Sequence, residues 1–168
     1  MPHVYTWIPS PVGRLKLVAS HQGLAAVLWE NDDPDRVRLE APVEDAGHPV
    51  LRLAQDQLDA YFAGRRRTFS VPLDLTGTAF QKRVWTALFG IPFGETRSYG
   101  ELAAHLGIPT AARAVGAANG KNPVSIIAPC HRVLGGRGQL TGFAGGLAAK
   151  AFLLRLERGE TDAILTSA

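Results

Sequence analysis

Three short segments near the N-terminus carry strand-like patterning. Val4–Pro9, Arg14–His21 and Leu24–Trp29 are rich in apolar, β-branched and aromatic residues, and turn chemistry separates them. Ser10-Pro11-Val12-Gly13 follows the first, with proline setting φ and glycine near the end, and Gln22-Gly23 follows the second. Within the second segment, Leu15, Leu17 and Ala19 are expected to face inward, against Lys16 and Val18. Together the three predict an antiparallel meander. Residues 30–47 are acidic and contain proline, which predicts a loop with one helical turn at most. Val50–Ala63 then brings Leu51, Ala54, Leu58 and Phe62 to one helical face, and Gly64 is a natural stop. Arg65-Arg66-Arg67 follows a helix end, where cations sit comfortably, and reads as a solvated loop.

The pattern changes near residues 72–78, Pro72-Leu73-Asp74-Leu75-Thr76-Gly77-Thr78, where a domain boundary is expected. Thr78-x-x-Gln81 is a capping box, and Phe80, Val84, Trp85 and Leu88 follow at helical spacing, with Trp85 as core. Gly90-Ile91-Pro92-Phe93-Gly94 breaks that helix. Ser98-x-x-Glu101 is a second capping box, opening a helix from Tyr99 to Leu106. After the turn Gly107-Ile108-Pro109, Thr110 is expected to cap another helix from Ala111 to about Gly120. Two short helices joined by a glycine-containing turn have the pattern of a helix-turn-helix. The second is built almost wholly of small residues around Arg113, which allows close approach to another surface: core packing or a DNA groove. Leu147–Arg158 closes the pattern as a helix, with Ala151, Leu154 and Arg158 on one side and Phe152 and Leu156 on another.

Charge adds an asymmetry to this division. Residues 1–78 hold 8 Lys/Arg and 10 Asp/Glu, a net of −2, and residues 79–168 hold 10 and 5, a net of +5. A basic C-terminal half suits a polyanion such as nucleic acid, although a basic solvated face is an equal reading of charge alone. No apolar run reaches the roughly 20 residues of a membrane span, and the N-terminus lacks a signal-peptide pattern, so a cytoplasmic location is expected. The single cysteine excludes an internal disulfide and a cysteine-rich zinc site, and the five histidines lack metal-binding spacing. No metal and no cofactor are expected.

That cysteine, Cys130, lies in Pro129-Cys130-His131-Arg132-Val133 after the apolar run Ser125-Ile126-Ile127-Ala128. A lone cysteine is usually a small buried hydrophobe. An imidazole and a guanidinium directly after it argue for a nucleophile, because nearby positive charge and a base favour thiolate.

The segment Pro129–Val133 resembles the active-site signature of the O6-alkylguanine-DNA alkyltransferases. Phe80-Gln81-x-x-Val84-Trp85, Ile91-Pro92-x-Gly94-Glu95-x-x-Ser98-Tyr99, Ala112-Arg113-Ala114-Val115-Gly116, Asn122-Pro123 and Gly145-Gly146-Leu147 resemble that family in its own order. The likeness covers residues 78–160 and is weaker over residues 1–77. It implies an α/β (α+β) fold: a ribonuclease-H-like α/β domain over residues 1–77, and a helical domain with a winged helix-turn-helix and the active site over residues 78–168.

By that resemblance Cys130 is the alkyl acceptor, His131 its general base through a bridging water, and Glu157 the carboxylate that orients the histidine. Asn122 is a hinge before the active-site segment. Tyr99 sits near the target phosphate and protonates the departing guanine. Arg113 fills the gap left by a flipped nucleotide. Thr110, Ala112, Ala114 and Gly116 belong to the DNA-binding surface, with the small-residue helix in the minor groove. The glycine-rich loop 134–146 walls the base pocket, with Val133, Phe143, Ala144 and Gly145 lining it. Ala144 departs from the family, many members of which carry a hydrogen-bonding serine there.

The implied partner is double-stranded DNA containing O6-alkylguanine, acted on by a monomer. Cooperativity on DNA and activity on O4-alkylthymine stay open. Thiolate suits displacement at an alkyl carbon, and the thioether product is stable, which implies one transfer per molecule. The target base must leave the duplex stack, at a cost of a few kcal/mol. Two other readings stand beside this one. A damage-flagging module without transfer would not need Cys130, and a transcriptional regulator would leave Pro129–Val133 unexplained.

Overall fold

The computed structural model describes residues 3–40 and 42–160. The N-terminal meander forms as β1 (Val4–Ile8), β2 (Leu15–Ala19) and β3 (Leu24–Trp29), antiparallel in sequence. A fourth strand, β4 (Val43–Glu44), pairs parallel with β1, and the sheet order is β3-β2-β1-β4. β4 falls in the segment expected to be a loop with a helical turn. Two exposed residues carry no periodicity to reveal a strand, and only pairing with β1 makes one.

Helix α1 (Pro49–Phe62) starts at His48, whose Nδ1 accepts from the Val50 amide at 3.2 Å. It lays Leu51, Ala54, Leu58, Tyr61 and Phe62 against the sheet. Leu15, Leu17 and Ala19 are buried as expected. Val18, expected outward, is buried too, flanked across the sheet by Tyr5 and Ala26 on an interior strand.

The helical half comprises α2 (Ala79–Leu88), β5 (Arg97–Ser98), α3 (Tyr99–His105), α4 (Ala112–Gly120), β6 (Val133–Leu134) and α5 (Leu147–Glu157). Both capping boxes close as the sequence predicts, Thr78 with Gln81 and Ser98 with Glu101. Trp85 is core, and its indole N–H donates to the Ala118 carbonyl at 2.8 Å, tying α2 to α4. The helix pair α3–α4 packs together, and the parallel β5–β6 pair flanks α3.

Thr110 does not cap α4. The preceding residue is Ala111, with no side-chain cap, because the turn closes by an Ala111 N–H to Ile108 carbonyl bond that leaves Thr110 exposed within it. The turn leaves α3 through Gly107 at φ +79°, a conformation that glycine adopts without steric cost.

Backbone bonds line the outer edge of β3. Within the N-terminal half Leu24 N–H donates to the Pro72 carbonyl and Asp74 N–H to the Leu24 carbonyl, and across the halves Val27 N–H donates to the Pro123 carbonyl at 2.8 Å. An edge strand is thereby covered, and the segment leading to Cys130 is anchored on the N-terminal sheet.

Candidate active site

The chain reaches Cys130 through a constrained buried turn. Asn122 lies at its start, fully buried, with its amide nitrogen donating to Ala128 carbonyl at 2.8 Å and its oxygen accepting from Val124 N–H at 3.1 Å. Between them Ile126 holds φ +75°, a region that β-branched residues rarely occupy. Pro129 precedes a single turn of 3-10 helix, Cys130–Arg132, that presents three buried side chains in succession. Asn119 adds a long 3.4 Å bond from its side-chain amide to the Cys130 carbonyl.

Burial pushes the Cys130 thiol above its ordinary pKa. Hydrogen bonding to Asn122, the charges of Arg36 and Lys150, and hydrogen bonding to Ser125 pull the other way and do not overcome it. The resting group is therefore a thiol, which needs a base to become nucleophilic. This corrects the sequence expectation for Arg132. Its guanidinium turns away from the thiol to Glu157 and to the Ile91 carbonyl, 2.6 Å away. The cations that act on Cys130 come from elsewhere in the sequence.

His131 is fully buried, and its Nε2 lies 2.6 Å from Glu157 Oε2. With Nε2 carrying the hydrogen, Nδ1 is the free acceptor, and it has no hydrogen-bond partner among the described residues. Burial lowers the imidazole's pKa below its ordinary value. The Glu157 hydrogen bond and charge offset this in part, while Arg132 and Lys150 add to it. The ring is neutral at pH 7, as an acceptor must be.

Glu157 receives five hydrogen bonds. Oε2 accepts from His131 Nε2, from Tyr61 Oη at 2.6 Å and from Arg132 Nη2 at 3.0 Å. Oε1 accepts from Arg132 Nε at 2.8 Å and from the Gly94 amide at 3.2 Å. Burial alone would raise its pKa, but the His131 and Arg132 hydrogen bonds and charges win and hold it well below the usual carboxylate range. It stays ionised.

The other predicted residues divide into two groups. Val133 is buried on β6. Phe143 meets Trp29 edge-on at 5.3 Å between centroids, and Gly145 lies so close to the Trp29 indole that an added Cβ would stand 2.5 Å from it. Ala144 between them is half-buried. Phe143 and Gly145 thus both pack on Trp29, whose indole N–H donates to Ser125, five residues before Cys130. Tyr99 reaches the same loop from α3, with its hydroxyl 2.9 Å from Thr141 Oγ1 and its ring against Gly116 of α4. Arg113 and Ala114 are exposed on α4, and Ala112 is half-buried beside them.

Several site residues had no signal in the sequence. Lys150, fully buried on α5, donates to the Val133 carbonyl at 2.7 Å and to the Thr141 carbonyl at 3.4 Å, tying β6 to the loop that follows it. Arg36 is held by both carboxylate oxygens of Asp32 and donates to the Gly120 and Asn122 carbonyls. Trp29 donates to Ser125 at 3.1 Å, and Tyr61 reaches Glu157. Three of these four come from the N-terminal half, far from Cys130 in sequence. Trp29, Tyr61 and Lys150 each stood inside a predicted element, yet full burial of a lysine in the last helix is unexpected.

Comparison with known proteins matches this architecture over nearly its whole length. The model of the 6-O-methylguanine DNA methyltransferase DNA binding domain matches residues 79–159, and that of the same family's ribonuclease-like domain matches residues 3–75. The chain belongs to the 6-O-methylguanine DNA methyltransferase family. It is 59% identical over 160 residues to the methylated-DNA–protein-cysteine methyltransferase of Mycobacterium leprae, covering 94% of this chain and 93% of the relative. To the protein of the same name from Mycobacterium tuberculosis it is 50% identical over 165 residues, 96% of each chain. The solved structure of Mycobacterium tuberculosis OGT in complex with DNA superposes with a TM-score of 0.86 at 48% identity, covering 97% of this chain and 99% of that one. Membership of this family agrees with the resemblance carried by Pro129–Val133 and its companion motifs.

Proposed function

We propose that this protein repairs DNA by direct alkyl transfer, taking the alkyl group of O6-alkylguanine onto Cys130. The observation that carries the reading is the buried Glu157–His131 pair, 2.6 Å apart, directly after the sole cysteine. A neutral imidazole with one nitrogen committed to a carboxylate and the other unpartnered is built to accept a proton. His131 Nδ1 takes the thiol proton through a bridging water. The thiolate attacks the alkyl carbon, an S–C bond forms, and the C–O6 bond breaks. Tyr99 gives a proton to the departing guanine and regains one from solvent, while His131 releases its own. The thioether has no route back, so each molecule acts once.

Duplex DNA is the partner. On α4 Ala114 is exposed and Ala112 and Gly116 are half-buried, small residues that suit close approach to a narrow groove, and exposed Arg113 is free to enter the stack in place of the flipped base. Asn122 is the hinge between that helix and Cys130. Val133, Phe143, Ala144 and Gly145 wall the base pocket. Thr110, exposed at the turn, lies beside the phosphate track. We take residues 1–77 and 78–168 as the two domains. Among the described residues no helix is long and apolar enough to cross a membrane. The activity places the protein with its DNA substrate in the cytoplasm, working as a monomer.

The test is to mix the protein with excess duplex carrying one O6-methylguanine and to map the product by peptide mass spectrometry. One methyl on the Cys130 peptide, with transfer ceasing at one per protein, is expected. Binding to damaged duplex without transfer would overturn the reading in favour of a damage-flagging module.

A further inference from the structure

We propose that Tyr61, on α1 of the N-terminal domain, is a positioning residue for the transfer, holding the Glu157 oxygen that orients His131. The proposal rests on the reading of His131 as general base. Tyr61 is 1% exposed, and its hydroxyl donates to Oε2 at 2.6 Å, the same oxygen and the same distance as His131 Nε2. Its ring is wedged among Phe62, Phe69 and Phe93, with centroids 5.3, 5.5 and 6.2 Å away. The hydroxyl is thus fixed in direction by aromatic packing from both halves of the molecule.

The phenol also stays a donor. Burial, and then the charge and hydrogen bond of Glu157, push its pKa well above the ordinary tyrosine value. A neutral donor on Oε2 draws off part of the carboxylate's charge, leaving less to stabilise an imidazolium. Two cations face the pair, Arg132 against both Glu157 and Tyr61, and Lys150 against His131. Both oppose imidazolium formation, so the hydroxyl acts in the same direction as they do. The N-terminal domain in this way contributes one hydrogen bond that lowers the basicity and fixes the orientation of a histidine on the other domain.

The test is the titration of His131 itself, followed by nitrogen NMR of histidine-labelled protein, with its resonance assigned from His131→Gln. In Tyr61→Phe the oxygen loses one donor while the ring volume stays. The His131 titration should rise by about half a unit or more, and the acid limb of single-turnover methyl transfer should rise with it. Folded Tyr61→Phe with an unchanged His131 titration would overturn the proposal, as would a rate loss equal at every pH. If Tyr61→Phe does not fold, biosynthetic 3-fluorotyrosine, a stronger donor in the same position, serves instead. It should move His131 downward, and no movement would again overturn the proposal. Failure of the unsubstituted protein to methylate Cys130 would refute the alkyl-transfer reading separately, because the NMR readout does not depend on transfer.

Discussion

Arg132 grips Glu157 at two points, Nε to Oε1 at 2.8 Å and Nη2 to Oε2 at 3.0 Å, with both side chains buried. A forked guanidinium matches a carboxylate in this way and fixes its plane. The plane of Glu157 in turn sets the direction of the bond to His131.

Replacing Glu157 with Gln removes the charge and leaves a buried guanidinium without its counter-ion. Loss of about 3–5 kcal/mol is expected in urea unfolding. Methyl transfer in a single turnover should slow by about 100-fold or more. A rate within about threefold of the unsubstituted protein would remove Glu157 from the proton path.

The histidine predicts the response to pH. Its folded pKa lies below the ordinary imidazole value of 6.5, with burial as the first cause. Transfer should therefore be level through neutral pH and decline only on the acid side of 6.5. Stability follows the same sense. Below 6.5 the unfolded chain binds a proton at His131 that the folded chain refuses, so stability falls as pH falls. Glu157, depressed in the fold, adds stability that is present above its ordinary value of 4.5 and is lost as pH falls through its lower folded value. Urea unfolding at several pH values between neutral and mildly acidic checks the sum. An acid limb of transfer lying above pH 7 would show that the imidazole is charged where it should be neutral.

Gly145 has no room for a side chain. A Cβ there would meet the Trp29 ring at 2.5 Å, and Trp29 is itself pinned through Ser125. Gly145→Ala should cost about 1–3 kcal/mol and slow transfer by displacing the pocket loop. Thermal unfolding together with benzyl transfer from free O6-benzylguanine to Cys130 would measure both, and an unaltered pair of values would mean that the loop lies elsewhere in solution.

Arg113 is exposed on α4 and makes no hydrogen bond or ion pair among the described residues. Arg113→Ala should leave stability within about 0.5 kcal/mol. Repair of duplex should slow while transfer from free base is unchanged. Equal slowing on both substrates would remove its role in base extrusion.

The local rules written in the sequence were enough for the helices of the C-terminal half. Thr78 with Gln81 and Ser98 with Glu101 close their boxes because every partner lies within one turn. The alternating apolar residues and turn signals of the first strands likewise made the meander. Thr110 shows the limit of such rules, since a threonine before a helix caps it only if the incoming chain leaves it at the cap position.

Cys130 and His131 were legible from their adjacency, and Glu157, Asn122 and Tyr99 from the family's motifs. What the tertiary structure decided is the electrostatic environment of those groups. Adjacency in sequence put Arg132 beside the thiol, yet the 3-10 turn points it at Glu157 instead. The cations near the thiol, Arg36 and Lys150, come from distant segments. So does Tyr61 on the carboxylate. Hydrogen bonds and charges act over a few ångströms of space, whatever the separation along the chain. The sequence therefore set Cys130 and His131 side by side, and only the packing of the two halves determined that the thiol rests protonated and the imidazole neutral.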